Sequence, residues 1–315
     1  MTVPTGPIPY LGADDIEALL SPADAVHAIS AALRHGFDPA DDPARIRVDA
    51  RHGQLLLMPS DIGASAGVKI ATVTPGNPAG GLPRINGVYV LFDAETLIPS
   101  AILDGIALTA VRTPAVSVAA VSGALQRSST PLRMVVFGAG PQALGHVRTV
   151  RGVLDGARDI SDLTYIVRRP DAYPGLTHVE AAGSVEADQA VRSADLVVCA
   201  STASEPLFDS ALLPDQAVVI AVGSHEPDVR EVDSALVGSA QVVVEDIGTA
   251  LREAGDVIMA IDDGAITPDR LVPMRDVVTD TVPLAGDRPV LFKGSGMSWQ
   301  DLIVAEAIAT RFAQD

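Results

Sequence analysis

The sequence predicts an α/β protein, a Rossmann-type parallel sheet domain joined to a discontinuous α+β domain. Three observations predict it. Residues 133–147, "RMVVFGAGPQALGHV", pass from an apolar run through a glycine-rich turn into a helical pattern. Beyond them apolar runs alternate with helical stretches, the order of a parallel sheet covered on both faces. Ahead of them, two helical stretches precede short apolar runs separated by Gly and Pro, without that alternation.

The first elements are helices within residues 14–35. Ser21-Pro22-Ala23-Asp24 supplies an N-cap, a proline at the first helical position and an acid in the first turn. Val26, Ile29, Ala32 and Leu33 then form an apolar face. Strand candidates follow at Gln54–Met58, Gly67–Val73, Gly87–Phe92 and Leu97–Leu103, the last two flanking "DAET" as an antiparallel hairpin. A helix from about Ile106 to Leu125 leads through "QRSSTP", where the inter-domain linker is placed.

The second domain's strands are Met134–Phe137, Leu163–Val167, Leu196–Cys199, Val218–Val222 and Gln241–Glu245. The closing stretch "GMSWQDLIVAEAIATRF" reads as a helix capped by Ser298 that returns to the first domain. The expected division is therefore 1–125 with 297–315, and 126–296.

Composition sets the limits. A chain of 315 residues has room for two domains, and 48% hydrophobic with 3% aromatic residues makes their cores aliphatic. A formal charge of −18 repels nucleic-acid phosphates and anionic membrane surfaces, so neither is expected as a partner. The single cysteine, Cys199, lies in the apolar run "ADLVVCAS" and reads as a buried strand residue in a reducing compartment. "MTVPTGPIPY" lacks the basic start and apolar core of a signal peptide, and no apolar run reaches the ~18 residues of a membrane span. A cytoplasmic location is expected. The six histidines are scattered, with no HExxH and no carboxylate cluster, so no metal is expected.

The glycine-rich turn points to dinucleotide binding. Gly138 permits the tight turn, Gly140 lets backbone amides approach a pyrophosphate, and Ala143 keeps the helix close to the sheet. Ala139, Pro141 and Gln142 complete the turn, with the positive end of the helix dipole toward the phosphates. The second strand of such a unit commonly ends in an acid that holds the ribose hydroxyls. Here it ends in Arg168 and Arg169, which can grip a 2′-phosphate, although Asp171 lies three residues past Arg168. NADP(H) is expected over NAD(H).

Several motifs together resemble the ornithine cyclodeaminase/mu-crystallin family: "GVKIATVTPGNPAGGLPRINGVYVLFD" (67–93), "LTAVRTPAVS" (108–117), "FGAGPQA", "VGSHEPDVREVD" (222–233) and "LFKGSGMSWQDL" (291–302). The resemblance spans most of the chain in order. It implies a Rossmann domain, a substrate domain that also forms a homodimer, and chemistry on imines of small α-amino acids through a bound nicotinamide. It implies that Lys69 is the active-site lysine and that Arg45 and Arg112 clamp the substrate carboxylate, a group whose planarity suits a guanidinium fork. A lysine beside two arginines should have a lowered pKa, favouring proton exchange with an imine nitrogen. The same resemblance assigns cofactor contacts to Thr113, Ser201, Val222, Gly223, Lys293 and Gly294.

Two departures bear on the reaction. Where ornithine cyclodeaminases carry a Glu shortly before "MP", this chain has Leu56; where they carry a catalytic Asp, it has His225. Asp228 occupies a different position of that motif, and Arg84 replaces a small hydroxyl residue. Both changes remove carboxylates that would face a diamine's ammonium. The expected activity is NAD(P)H-dependent reduction of cyclic ketimines such as Δ1-pyrroline-2-carboxylate or Δ1-piperideine-2-carboxylate, with Lys69 as proton donor and His225 as a second proton relay. The rivals are ornithine or lysine cyclodeamination, amino-acid dehydrogenation, and non-catalytic NADPH binding.

Overall fold

The computed structural model describes residues 7–314. Residues 1–6, which open the stretch read above for a signal peptide, lie outside it, as does Asp315. Two compact units emerge. One comprises residues up to Ala32, Asp41–Arg112 and the segment from Met297 on; the other comprises Leu33–Ala40 and Thr113–Gly296. The division falls inside a helix at Arg112/Thr113, not at the polar stretch after residue 125, because one continuous helix serves both units.

The first unit begins with β1 (Tyr10–Leu11), α1 (Ala13–Leu19) and α2 (Pro22–Arg34). The Ser21 hydroxyl accepts from Asp24 N at 3.1 Å and donates to the Asp24 carboxylate at 2.7 Å, the cap expected for α2. Strands β2 (Ile46–Ala50), β3 (Gly53–Ile62), β4 (Ser65–Val73), β5 (Ile85–Asp93) and β6 (Pro99–Asp104) follow. They form a sheet ordered β1-β6-β5-β4-β3-β2, antiparallel except where β1 meets β6. Sequence reading misses β2, a short edge strand exposed at every residue, whose apolar residues alternate with charged ones. α3 (Gly105–Leu125) starts on the Asp104 side chain, which accepts from Ile106 N and Ala107 N at 2.8 and 2.9 Å.

In the second unit β7 (Leu132–Phe137), α4 (Pro141–Leu154), β8 (Ile160–Val167), β9 (Val179–Ala181), α5 (Val185–Ser193), β10 (Leu196–Cys199) and β11 (Val218–Ala221) alternate. α6 (Ser234–Ser239), β12 (Gln241–Val244), α7 (Ile247–Glu253), α8 (Gly255–Asp262), β13 (Val272–Pro273), α9 (Met274–Val278) and β14 (Val290–Lys293) complete it. All eight strands are parallel in the order β13-β12-β14-β11-β10-β7-β8-β9. Every residue of β10, β11, β12 and β14 is buried, as strands covered on both faces must be. The chain runs outward from β7 to β9 and resumes at β10 on β7's other side. That reversal places a topological switch point between β7 and β10.

α10 (Ser298–Phe312) returns to the first unit. Its N-cap is Met297, without a side-chain bond, and Ser298 is the first helical residue instead of the cap. The cap comes from afar: the Asp42 carboxylate accepts from Trp299 N at 3.0 Å. α10 packs on β3, β4 and β5, against the face bearing Ser65, Gly67, Lys69 and Ala71, all buried.

Candidate active site

In the first unit three elements converge on one carboxylate. Lys69, on β4, is 4% exposed, and Arg112, on α3, is 7% exposed. Asp301, in the first turn of α10, is fully buried. Lys69 Nζ donates to Asp301 Oδ2 at 2.8 Å and Oδ1 at 3.0 Å. Arg112 Nε lies 3.3 Å from Asp301 Oδ1, and its Nη1 donates to Gln300 Oε1 at 2.8 Å. Thr109, one turn before Arg112, presents its hydroxyl to Nζ at 3.4 Å. Burial and the Arg112 charge push the Lys69 ammonium down to about 8, against the pull of Asp301; Arg45, half-buried just ahead of β2, pushes the same way. Such a lysine keeps its proton at neutral pH yet releases it far more readily than a surface lysine.

The surroundings are polar on one side and apolar on the other. Asp42 accepts from the Ser60 hydroxyl at 2.6 Å, and burial raises its carboxyl to about 6. Tyr89, fully buried and paired across strands with Lys69, is held neutral, because burial drives its phenol far above the ordinary range. Leu56 pairs with Ala71 as Met58 pairs with Lys69, so it lies on the lysine's face of the sheet. An apolar side chain therefore lies beside Lys69 on this face.

The dinucleotide turn sits at the switch point of the second unit. Gly138 has φ +111°, and a Cβ there would come within 2.5 Å of Ala200 O; at Gly140 a Cβ would meet nothing within 4 Å. The first glycine thus seals the turn against the neighbouring strand, while the second leaves the open approach a pyrophosphate needs. α4 begins at Pro141 with no side-chain bond on its Gly140 cap, which leaves its N-terminal dipole for an anion. Ala143 is fully buried under the sheet. Arg168 and Arg169 follow β8 directly and are exposed. These residues fit a dinucleotide.

Other sequence-based assignments turn out differently. Lys293 lies on β14, not in a loop, and is 1% exposed. Its Nζ is taken up internally by Asp256 Oδ2 at 2.7 Å and Ser224 O at 2.8 Å, so its charge faces no ligand. Glu231, fully buried, accepts from Ser201 N at 2.9 Å and Ser201 Oγ at 2.8 Å on one oxygen and from Gly223 N at 2.7 Å on the other. Those donors of Ser201 and Gly223 are spent on fixing the loops after β10 and β11. Gly294 N closes onto Ala221 O at 3.1 Å, and Val222 N onto Cys199 O at 3.0 Å, so both shape the sheet's edge by backbone. Thr113, half-buried beside Arg112, receives the Ser117 hydroxyl on its carbonyl at 2.9 Å. His225 is half-buried in the loop after β11, in the second unit, whereas Lys69, Arg45 and Arg112 share the first.

Asp301 is the member of this buried cluster that sequence reasoning misses. In "SWQDL" it looks like an ordinary first-turn acid. One cue was available: Lys69 and Lys293 are the only lysines in the chain, every other Lys/Arg position being arginine. Both are buried against an aspartate.

Among the described residues no His/Cys/Asp/Glu group has the arrangement to hold a metal. One described helix, α3, has the length and hydropathy of a membrane span, and most of that stretch is buried within the protein.

Comparison with known proteins agrees with this architecture. The chain is 30% identical over 321 residues to a Δ1-pyrroline-2-carboxylate/Δ1-piperideine-2-carboxylate reductase of Azospirillum brasilense, covering 98% of each protein. Its fold matches that of the Thermococcus litoralis Δ1-pyrroline-2-carboxylate reductase, solved with NADH and L-proline. That match has a TM-score of 0.84, 23% identity and 98% coverage of both chains. An archaeal alanine dehydrogenase dimer with bound NAD matches with a TM-score of 0.81 at 22% identity, over 98% of this chain and 96% of that one. The profile of the ornithine cyclodeaminase/mu-crystallin family matches residues 10–315. The chain belongs to the ornithine cyclodeaminase/mu-crystallin family.

Proposed function

We propose that the protein is an NAD(P)H-dependent reductase of small cyclic ketimines bearing a carboxylate, of the pyrroline- or piperideine-2-carboxylate type. The observation that carries this reading is the buried pairing of Lys69 and Arg112 with one carboxylate, Asp301, beside a sheet face where Leu56 offers no other. The activity of the Azospirillum relative supports it.

Gly138, Ala139, Gly140, Pro141, Gln142 and Ala143 would hold a reduced dinucleotide, which would supply a hydride to the imine carbon. Arg112 and Arg45 hold the substrate carboxylate through charge-assisted hydrogen bonds. Lys69 gives its proton to the imine nitrogen, so the C=N bond becomes CH–NH, and it regains a proton from solvent. No ammonia enters or leaves. His225 serves as a second proton carrier. The carboxylate present, Asp301, is already taken up by Lys69 and Arg112, and Leu56 adds none, which disfavours ornithine or lysine as substrate. Arg168 and Arg169, exposed after β8, form the fork for a 2′-phosphate and make NADPH the preferred donor.

A paired assay tests the reading. NADPH consumption with the two cyclic imines, without ammonia requirement, is expected, and NADPH should exceed NADH by about tenfold or more in kcat/KM. Lys69→Ala should abolish turnover while the fold persists. Ammonia release from ornithine or lysine with NAD+, or near-normal activity of Lys69→Ala, would overturn it.

A further inference from the structure

We propose that Asp301 is a positioning residue for this reaction, a single buried carboxylate that aims the Lys69 ammonium and the Arg112 guanidinium at one imino acid. The proposal rests on the ketimine-reductase reading for its consequence in catalysis, while the geometry behind it stands apart from any reaction.

The argument starts from what two buried cations need. Lys69 and Arg112 are both nearly inaccessible, and two like charges without a counter-charge would repel each other in a medium that screens poorly. Asp301 answers both, with Oδ2 given to Lys69 and Oδ1 shared by Lys69 and Arg112 Nε. Next to it on α10, Gln300 takes Arg112 Nη1. The guanidinium is thereby held from two sides, by the hydrogen bond of Nη1 to Gln300 and by the charge of Asp301 3.3 Å from Nε. A mobile arginine could bind a carboxylate in several orientations, but an anchored one fixes where the adjoining imine nitrogen falls relative to Nζ.

The cluster also carries a charge argument. Lys69, Arg112 and Asp301 sum to one positive charge, with half-buried Arg45 adding a second. Facing Lys69 are Asp301 from α10, Arg112 and the Thr109 hydroxyl from α3, Arg45 from the segment before β2, and the neutral Tyr89 from β5. Asp301 is the one anion among them. Removing it leaves the lysine facing only cations and neutral groups, and the ammonium form is then disfavoured.

The sparsity of lysine makes a direct test possible. With lysine labelled at Cε by 13C, the chain gives two side-chain signals, Lys69 and Lys293, the second serving as an internal reference. In Asp301→Asn the Lys69 titration is expected to move to lower pH by about one unit or more, with Lys293 unmoved. The alkaline limb of kcat/KM for the cyclic imine should move with it. The substrate's own ionisation is common to both proteins and cancels, and KM for NADPH should stay within about twofold.

Asp301→Glu keeps the charge but displaces it by one methylene. It is expected to leave the Lys69 titration nearly in place while lowering kcat by about tenfold or more, since a small misplacement is costly to a proton transfer. It also carries the test if the asparagine variant fails to fold. A Lys69 titration unmoved in Asp301→Asn, or full kcat in Asp301→Glu, overturns the proposal. Absence of imine reduction in the unaltered protein would instead overturn the functional reading, because the titration requires no substrate.

Discussion

At the scale of single residues, Arg112 shows why arginine and lysine are not interchangeable. It contacts Asp301 through Nε and Gln300 through Nη1, two directions at once, and a single ammonium cannot span both. Arg112→Lys is therefore expected to raise KM for the imino acid by about 10- to 100-fold, with KM for the dinucleotide unchanged. Steady-state kinetics against both substrates checks this, and an unaltered imino-acid KM would remove Arg112 from the clamp. Lys69 was legible in sequence because a charge interrupts an apolar strand there. Asp301 was not, because an acid in the first turn of a helix is ordinarily solvated and favourable to the dipole. Lys293 misled in the opposite direction. It ends the apolar run "VLFK" next to a glycine-rich loop, and only the distant Asp256 reveals it as an internal ion pair.

At the scale of elements, α4 carries a histidine buried without charge. His146 is fully buried; its Nδ1 lies 2.7 Å from Gln142 O one turn back, and burial lowers its pKa from 6.5 to about 4. The unfolded chain takes up a proton near 6.5 that the folded helix refuses until about 4. This group's contribution to stability is thus complete above 6.5 and is lost as pH falls through that window, to the extent of about 3 kcal/mol. His146→Leu should flatten the fall in thermal midpoint between pH 6.5 and 4, and calorimetry across that range checks it; an unchanged slope would show that His146 takes no part. Asp42, which caps α10, acts in the opposite sense: its carboxyl is raised from 3.8 to about 6, so its contribution is full below 3.8 and is lost as pH rises through 6. Elements of the parallel sheet were readable because fully buried strands are continuous apolar runs, and Leu196–Cys199 falls where the run does. β9, β13 and β14 were not: β9 and β13 are too short to leave a pattern, and β14 is a four-residue run that ends in a charge beside a glycine-rich stretch.

At the scale of the whole molecule, the face of the six-stranded sheet opposite Lys69 carries apolar side chains, several of them exposed. Cross-strand pairing puts Tyr10, Ile102, Val90, Val68 and Pro59 in one row and Val88, Ile70, Leu57 and Ile46 in the next. Tyr10, Ile46, Val48 and Val88 are 58%, 52%, 45% and 36% exposed, an apolar patch of the kind that marks an interface. A second copy covering this face accounts for strands apolar on both sides, such as "QLLLMP" and "VYVLF", in a unit with helix on only one of them. We expect a homodimer through this face. Light scattering should give twice 32.5 kDa, and Ile46→Glu with Val48→Glu should give the single mass; a monomer before substitution would refute the assignment.

The two lysines carry a last consequence. Each compact unit holds one of them, Lys69 in the first and Lys293 in the second, and both side chains are sealed from solvent. Amine-directed acylating reagents therefore find no side chain to modify on the native surface. Acylation at Lys293, an internal ion pair, requires the second unit to open, whereas Lys69 is reached only through the substrate site. Brief exposure to such a reagent followed by peptide mapping would record the opening of the second unit at Lys293 and access to the substrate site at Lys69, without an introduced label.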